Sequence, residues 1–119
     1  MMAKELDKVA VIGSRSFKAF DIMKKFLDTE GKFILVSGGA EGADSYAEKY
    51  ADMKGFQKII YKPDYDTYGR TAPLIRNEKI IDECDRIIAF YDGVSPGTRH
   101  AMELAKKKGK SVQLITVLE

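Results

Sequence analysis

Val9-Ala10-Val11-Ile12-Gly13-Ser14-Arg15-Ser16-Phe17 is the stretch on which the fold turns. Four apolar residues end at a glycine, and a short polar loop follows. A continuous Val/Ile run is the mark of a strand buried on both faces. The loop leads into a helical pattern with Phe20, Met23 and Leu27 on one face. The same order occurs twice more. Ser37-Gly38-Gly39-Ala40-Glu41-Gly42-Ala43-Asp44 follows Phe33-Ile34-Leu35-Val36, and Asp92-Gly93-Val94-Ser95-Pro96-Gly97-Thr98 follows Ile87-Ile88-Ala89-Phe90-Tyr91. A strand, a Gly-rich loop and a helix together aim backbone amides and a helix N-terminus at one point, which suits a phosphate. Three such units in one small chain predict a nucleotide pocket.

Further out, apolar runs begin near Val9, Phe33, Ile59, Ile87 and Val112, 24 to 28 residues apart. That spacing is the length of one strand–helix unit and carries no sequence repeat. Ala43, Ala47, Tyr50 and Ala51 share a face of the second helical pattern. The third runs from about Ala72 to Cys84 with Ile80, Ile81 and Cys84 inward. The fourth turns Thr98, Ala101, Met102 and Ala105 inward and lysines 106 to 108 outward. Strands alternating with helices predict an α/β protein: a three-layer, doubly wound, Rossmann-like fold with a five-stranded parallel sheet and right-handed crossovers. The expected strand order, 3-2-1-4-5, follows precedent and no particular residue. It reverses the growth of the sheet between strands 1 and 4, and ligands bind in the crevice at the carboxyl ends of strands at such a reversal. The Gly13 and Gly97 loops are expected to flank that crevice, with the Gly38 loop beside them.

The 119 residues, 45% of them hydrophobic, suit one domain spanning 1–119. A net charge of +2, from 20 basic and 18 acidic residues, gives no support to a strongly basic nucleic-acid binder. The single cysteine, Cys84, excludes an intrachain disulfide, fits a reducing cytoplasmic setting and reads as a buried small apolar residue. No apolar run approaches the roughly 18 residues of a membrane span. Met1–Asp7 is expected to fray. The connection from Lys62 to Thr71, carrying Tyr65, Tyr68 and Arg70, is longer than usual, and long connections in compact domains are often functional.

The Gly13 loop is not a dinucleotide fingerprint, because Ser14, Arg15 and Lys18 stand among the positions that need glycine. Arg15 instead offers a planar donor fork to a phosphate or carboxylate, and Gly13 and Ser14 adjoin it. The Ser37–Asp44 loop is not a P-loop, lacking Lys-Ser/Thr after Gly42. Gly38 and Gly39 permit close backbone approach. Asp44 either meets the ligand or caps the second helix. Arg76-Asn77 sits early in the third helical pattern. Asn77 there has a base edge, a ribose or a neighbouring loop carbonyl as partner, or simply braces the loops. In the last loop Ser95 or Thr98 can cap, Pro96 fits an early helical position, and Gly97 lets backbone approach a ligand. His100, the lone histidine, makes neither a metal site nor a Ser-His-Asp triad by itself, and it reads as a helix-surface packing or partner-contact residue. No metal and no cofactor beyond a nucleotide-type ligand are expected.

Taken together these residues resemble the SLOG superfamily, and within it the small YspA-like group. The likeness covers nearly the whole chain. It rests on Gly13-Ser14-Arg15 with Phe17, on Ser37 to Asp44, on Tyr68-Gly69 with Ala72 leading to Arg76-Asn77, and on Ser95 with Gly97-Thr98. The resemblance implies a Rossmann-like fold that binds nucleotide-derived ligands and pairs as a homodimer. The related LOG phosphoribohydrolases carry Pro-Gly-Gly-x-Gly-Thr-x-x-Glu with a catalytic glutamate. Here Ala101 stands at the position of that glutamate, and Glu103 lies about 200° further round an ideal helix. DprA-like proteins share Gly-Ser-Arg, the Ser-Gly loop and Arg-Asn but bind single-stranded DNA and carry extra domains.

The expected function is therefore binding of a nucleotide or nucleotide derivative, as sensor, carrier or sequestering protein. The expected pocket comprises Gly13, Ser14, Arg15, Ser37, Gly38, Gly39, Asp44, Tyr68, Arg76, Asn77, Ser95, Gly97 and Thr98, with Tyr68 or Tyr65 stacking on a base. Two alternatives stand beside it. One is a LOG-like enzyme cleaving the N-glycosidic bond of a nucleoside monophosphate, which the missing carboxylate at Ala101 argues against. The other is a DprA-like single-strand binder, which the near-balanced charge does not favour.

Overall fold

The alternation of two apolar sets along single strands decides the layering. In the first strand, Val9 and Val11 enter one core while Ala10 and Ile12 enter another. A strand with both faces apolar must be covered on both sides. The computed structural model describes residues 6–116. Its strands are β1 (Lys8–Gly13), β2 (Ile34–Ser37), β3 (Lys58–Ile60), β4 (Arg86–Tyr91) and β5 (Val112–Thr116). Its helices are α1 (Phe20–Asp28), α2 (Ala43–Lys54), α3 (Tyr65–Tyr68), α4 (Ala72–Glu83) and α5 (Pro96–Lys107). All five strands are parallel, in the order β3-β2-β1-β4-β5. This is the expected doubly wound α/β architecture.

On one face Met23 and Leu27 of α1 and Ala43, Ala47, Tyr50 and Ala51 of α2 pack against Val9, Val11, Leu35, Ile88 and Phe90. On the other, Ile80 and Ile81 of α4 and Ala101 and Ala105 of α5 meet Ala10, Ile12, Val36, Ile87 and Ala89. Each fully buried Val, Leu or Ile contributes about 1.5–3 kcal/mol relative to leaving it exposed. The helical faces read from sequence are the faces that pack, with Phe20 and Met102 half-buried at their margins. Cys84 is buried at the end of α4, and burial raises its thiol above the ordinary value.

The long connection from Lys62 to Thr71 is partly helical. It holds the single turn α3 and a 3-10 turn over Gly69–Thr71. Asp64 starts α3, its carboxylate accepting from Thr67 N at 3.1 Å and Thr67 Oγ1 at 2.6 Å. The expected fraying of Met1–Asp7 falls mainly on residues 1–5, which lie outside the described residues. Asp7 itself is tied in, since Ile34 N donates to its carbonyl at 2.9 Å and Arg86 Nε to its carboxylate at 3.4 Å.

The last carbonyls of α4 have no amides further along the helix to accept from. Lys110 serves them from the turn before β5. Its Nζ donates to the carbonyls of Ile81 at 2.5 Å, Cys84 at 2.7 Å and Asp82 at 3.1 Å. Lys110→Met keeps the aliphatic stem and removes all three donors. Urea denaturation should show it about 1–2 kcal/mol less stable than the parent, the usual cost of leaving part-buried acceptors unmet. An unchanged midpoint would mean that water replaces the ammonium without loss.

Candidate ligand-binding site

β1 and β4 lie side by side, and their following loops diverge to opposite faces of the sheet. The gap so created is a cleft of 530 Å³ at the carboxyl ends of the strands. That size is within the range of small-molecule sites. Its apolar floor is Ile12, Ile80 and Ala101. Gly13 and Arg15 enter from the β1 side, Asp44 from α2, Arg76 and Asn77 from α4, Ser95 from the turn before α5, and Gly97 and Thr98 from α5 itself. The remaining candidates lie elsewhere. Ser14, Ser37, Gly38 and Gly39 are not among its lining residues, nor are Tyr68 and Tyr65, which are 40% and 55% exposed. Both tyrosines sit on α3, and neither is among the residues that line the cleft.

Ser14 is a junction. Its amide donates to Phe90 O at 3.0 Å, its hydroxyl accepts from Asp92 N at 3.0 Å, and its carbonyl accepts from Phe17 N and Ala43 N, each at 3.1 Å. It thereby ties β1, β4 and α2 together. Ser37 Oγ donates to Val11 O at 2.8 Å, locking β2 to β1. Gly38 is wedged between the Arg76 guanidinium and the Asp44 carboxylate, and a Cβ there would collide with both. Arg76 Nη1 donates to Gly38 O at 2.5 Å, so this arginine is a brace from α4 to the β2 loop.

Asn77 is buried and fully engaged. Its Oδ1 accepts from Arg76 Nε at 3.1 Å, and that nitrogen can only donate, which fixes the amide orientation. Its Nδ2 then donates to Gly97 O at 3.2 Å and to His100 Nδ1 at 3.2 Å. Of the readings open for Asn77, the brace is the one with partners in place. It sets the position of the first turn of α5. His100 serves as an acceptor in that brace.

Asp44 is 6% exposed and does not cap α2. Gly42 occupies the cap position, with no side-chain cap, and Asp44 lies one residue inside the helix. Its Oδ2 accepts from Ala40 N at 3.2 Å, reaching backward across the loop. Burial raises its pKa to about 6, against the opposing pull of the Ala40 amide and the Arg76 charge. Burial likewise lowers the Arg76 pKa, with Asp44 opposing and Arg15 reinforcing the shift.

The family model of the YspA, cpYpsA-related SLOG family matches residues 7–68, which carry β1, α1, β2, the glycine loop, α2, β3 and α3. The chain belongs to that family. It is 37% identical over 82 residues to the Gene 61 protein of Mycobacterium phage D29, a stretch covering 64% of this chain and 66% of that protein. It is 26% identical over 135 residues to the SPbeta prophage-derived protein YoqJ of Bacillus subtilis (strain 168), covering 76% of this chain and 79% of the other. In architecture it resembles DNA processing protein A (DprA) from Streptococcus pneumoniae. The TM-score is 0.75 at 22% identity, over 94% of this chain and 51% of that one. The chain thus spans about half the length of DprA, and the likeness is one of fold.

Within this SLOG chain, sequence reading missed Asp92. Its Oδ1 accepts from Val94 N at 2.9 Å and Ser95 N at 2.8 Å, and its Oδ2 accepts from Ser95 Oγ at 2.9 Å. The Val94 amide foremost holds its carboxyl well below the usual carboxylate range. Neither Ser95 nor Thr98 caps α5 by its side chain; the Asp92 carboxylate instead folds the preceding turn. The signal was Asp at a strand end followed by Gly, a turn former whose carboxylate binds amides two and three residues on. The first-turn amides of α5 therefore face the cleft uncapped.

Proposed function

We propose that the cleft binds a phosphorylated nucleoside compound, its phosphate at the start of α5 and its remainder along the apolar floor. One coincidence carries this reading. Three unspent donors converge at the reversal of the sheet: the Arg15 guanidinium, the uncapped first turn of α5 and the Thr98 hydroxyl. Arg15 has no hydrogen-bond or ion-pair partner among the described residues. Thr98 is 6% exposed, lines the cleft, and its hydroxyl likewise has no partner among the described residues. No buried side-chain oxygen or nitrogen among the described residues lacks a partner, so this hydroxyl is open to solvent and free to meet a ligand oxygen. A Cβ on Gly97 would meet nothing within 4 Å, so packing does not demand glycine there, whereas a ligand lying on the backbone would. The positive end of the helix favours an anion at this point.

The role that follows is that of a sensor, carrier or sequestering protein. The two carboxylates of the cleft, Asp44 and Asp92, are a buried group and a turn-forming group, and Ala101 supplies no charge. Titration calorimetry against a panel of nucleoside mono- and diphosphates tests the reading. Arg15→Ala should weaken the best ligand by about 2 kcal/mol, roughly thirtyfold, as expected for a hydrogen-bonded charge pair. Absence of binding across the panel, or an Arg15 variant that binds like the parent, would overturn it.

A further inference from the structure

The sheet has two outer strands, and only one of them is guarded. An edge strand presents unpaired N–H and C=O groups, and natural proteins blunt such edges by shortness, lysine or proline. β3 uses all three. It has three residues, starts at Lys58, which pairs with Glu48 and Asp52, and is followed by Pro63. β5 uses none. Its five residues, Val112-Gln113-Leu114-Ile115-Thr116, carry no charge and no proline, and Leu114 is 51% exposed. Its neighbour in the sheet is β4 on one side, with no strand on the other among the described residues. Ile87 stands opposite Val112, and its amide donates to Ser111 O at 2.9 Å. The period of two then turns the backbone of residues 111, 113 and 115 toward β4 and that of Val112, Leu114 and Thr116 outward.

α1 gives this edge an apolar shoulder. Phe20 packs on Tyr46 and Asp28 accepts from Tyr50, so these two residues face α2. Met23 and Leu27 face the sheet. That leaves Ile22 and Phe26, one turn apart, on the flank away from α2, where they are 43% and 38% exposed. The Phe26 ring lies 6.4 Å from that of Phe90, whose partner on β5 is Ile115. Strand edge and shoulder thus adjoin.

A row of outward backbone groups on an extended strand is matched by another strand. We propose that this strand is β5 of a second copy, joined antiparallel about a two-fold axis through Leu114. The axis sets Leu114 of one copy opposite Leu114 of the other, and Val112 opposite Thr116. Every outward residue then falls in a hydrogen-bonded pair. A two-fold contact must be self-complementary, and this one is. β5 brings no charge against its like, the Ile22–Phe26 shoulders of the two copies come side by side, and a net charge of +2 opposes association little. The strands of the two copies point in opposite directions, so both clefts stay open and the inference is independent of what they bind.

Sedimentation velocity over a concentration series tests it, and the parent should sediment as a dimer. Leu114→Pro removes an N–H that faces outward and none that bonds β4, so the sheet should survive while the dimer weakens at least tenfold. Leu114→Lys puts like charges across the axis, and Ile22→Lys puts a charge into the shoulder. Both should weaken the dimer similarly, and they decide the matter if the proline variant does not fold. Met53→Lys, at an apolar residue of α2 that is 56% exposed, should leave association unchanged. Cross-linking reads the register. A hydrogen-bonded antiparallel pair has its Cα atoms about 5.5 Å apart, within reach of a disulfide. Leu114→Cys should therefore form a covalent dimer on mild oxidation, and Gln113→Cys, off the axis, should not. A monomeric parent, a dimer that survives the folded variants at positions 114 and 22, or cross-linking through position 113 in place of 114 would overturn the proposal.

Discussion

Gly42→Ala should cost the fold about 3–5 kcal/mol, the sum of backbone strain and overpacking that each run to about 1–3 kcal/mol. Gly42 precedes α2 with φ 76° and ψ −125°, a conformation that residues with a Cβ rarely adopt. An added Cβ would also run into the carbonyl oxygens of Ser14 and Arg15. Those carbonyls cannot retreat cheaply. Ser14 O accepts from Phe17 N and Ala43 N, and the Ser14 amide is anchored on β4 through Phe90 O. A domain of this size has about 5–15 kcal/mol of stability in total, so the variant keeps little margin. Scanning calorimetry should place its melting temperature roughly 10–20 °C below the parent. Gly97→Ala is the matched control. No neighbour lies within 4 Å of its Cβ position, so its stability should stay within about 0.5 kcal/mol of the parent. A Gly42 variant that melts within a few degrees of the parent would show that the loop between β1 and α1 yields, against the hydrogen bonding described.

What could be read from the residues follows from how far each signal reaches along the chain. Strands and helical faces are local patterns, and Val9–Ile12, Phe33–Val36 and Ile87–Tyr91 carry them without ambiguity. The parallel order β3-β2-β1-β4-β5 is encoded by no particular residue and was expected from precedent alone. The polar residues resisted reading because their partners are distant in sequence. Ser14 meets Asp92 across 78 positions, and Arg76 meets Gly38 across 38. A serine in a glycine loop looks the same whether it faces a ligand or, as here, clamps two strands together. The turn α3 was missed for a different reason. Its nucleus is one Asp64–Thr67 cap, too short to leave a periodic pattern.

The same distinction divides the site. Arg15, Gly97 and Thr98 occupy the cleft with unspent donors, whereas Ser37 and Asn77 spend theirs, and Gly38 its carbonyl, on the scaffold around it. Asn77 makes this concrete, since its single amide couples Arg76, Gly97 and His100 and so sets where α5 begins. Residues of one motif thus fall into a group that meets solvent in the cleft and a group that holds the first in place.

Asp44→Asn should make the protein more stable at pH 8 by about 3 kcal/mol, and this gain should vanish near pH 4. The sign follows from the direction of the shift. The folded carboxyl titrates at about 6, whereas the unfolded chain titrates near the ordinary value of 3.8. Between those values the folded state holds a proton that the unfolded state has lost. Folding stability contributed by the neutral form is therefore complete below about pH 4 and is lost as pH rises through 6. A difference of about two units at 1.36 kcal/mol per unit gives the stated size. Asparagine keeps the acceptor for the Ala40 amide, cannot ionise, and so escapes the cost of burying a charge. Other acids shift the opposite way. Asp28, whose pKa falls to about 2 through the Tyr50 hydroxyl first and Lys24 next, gains rather than loses stability as pH rises. The parent's overall pH profile mixes both signs, while the difference between parent and variant isolates Asp44. Urea denaturation of the two proteins at several pH values between 4 and 8 supplies that difference. A constant offset across the range would mean that Asp44 is ionised throughout.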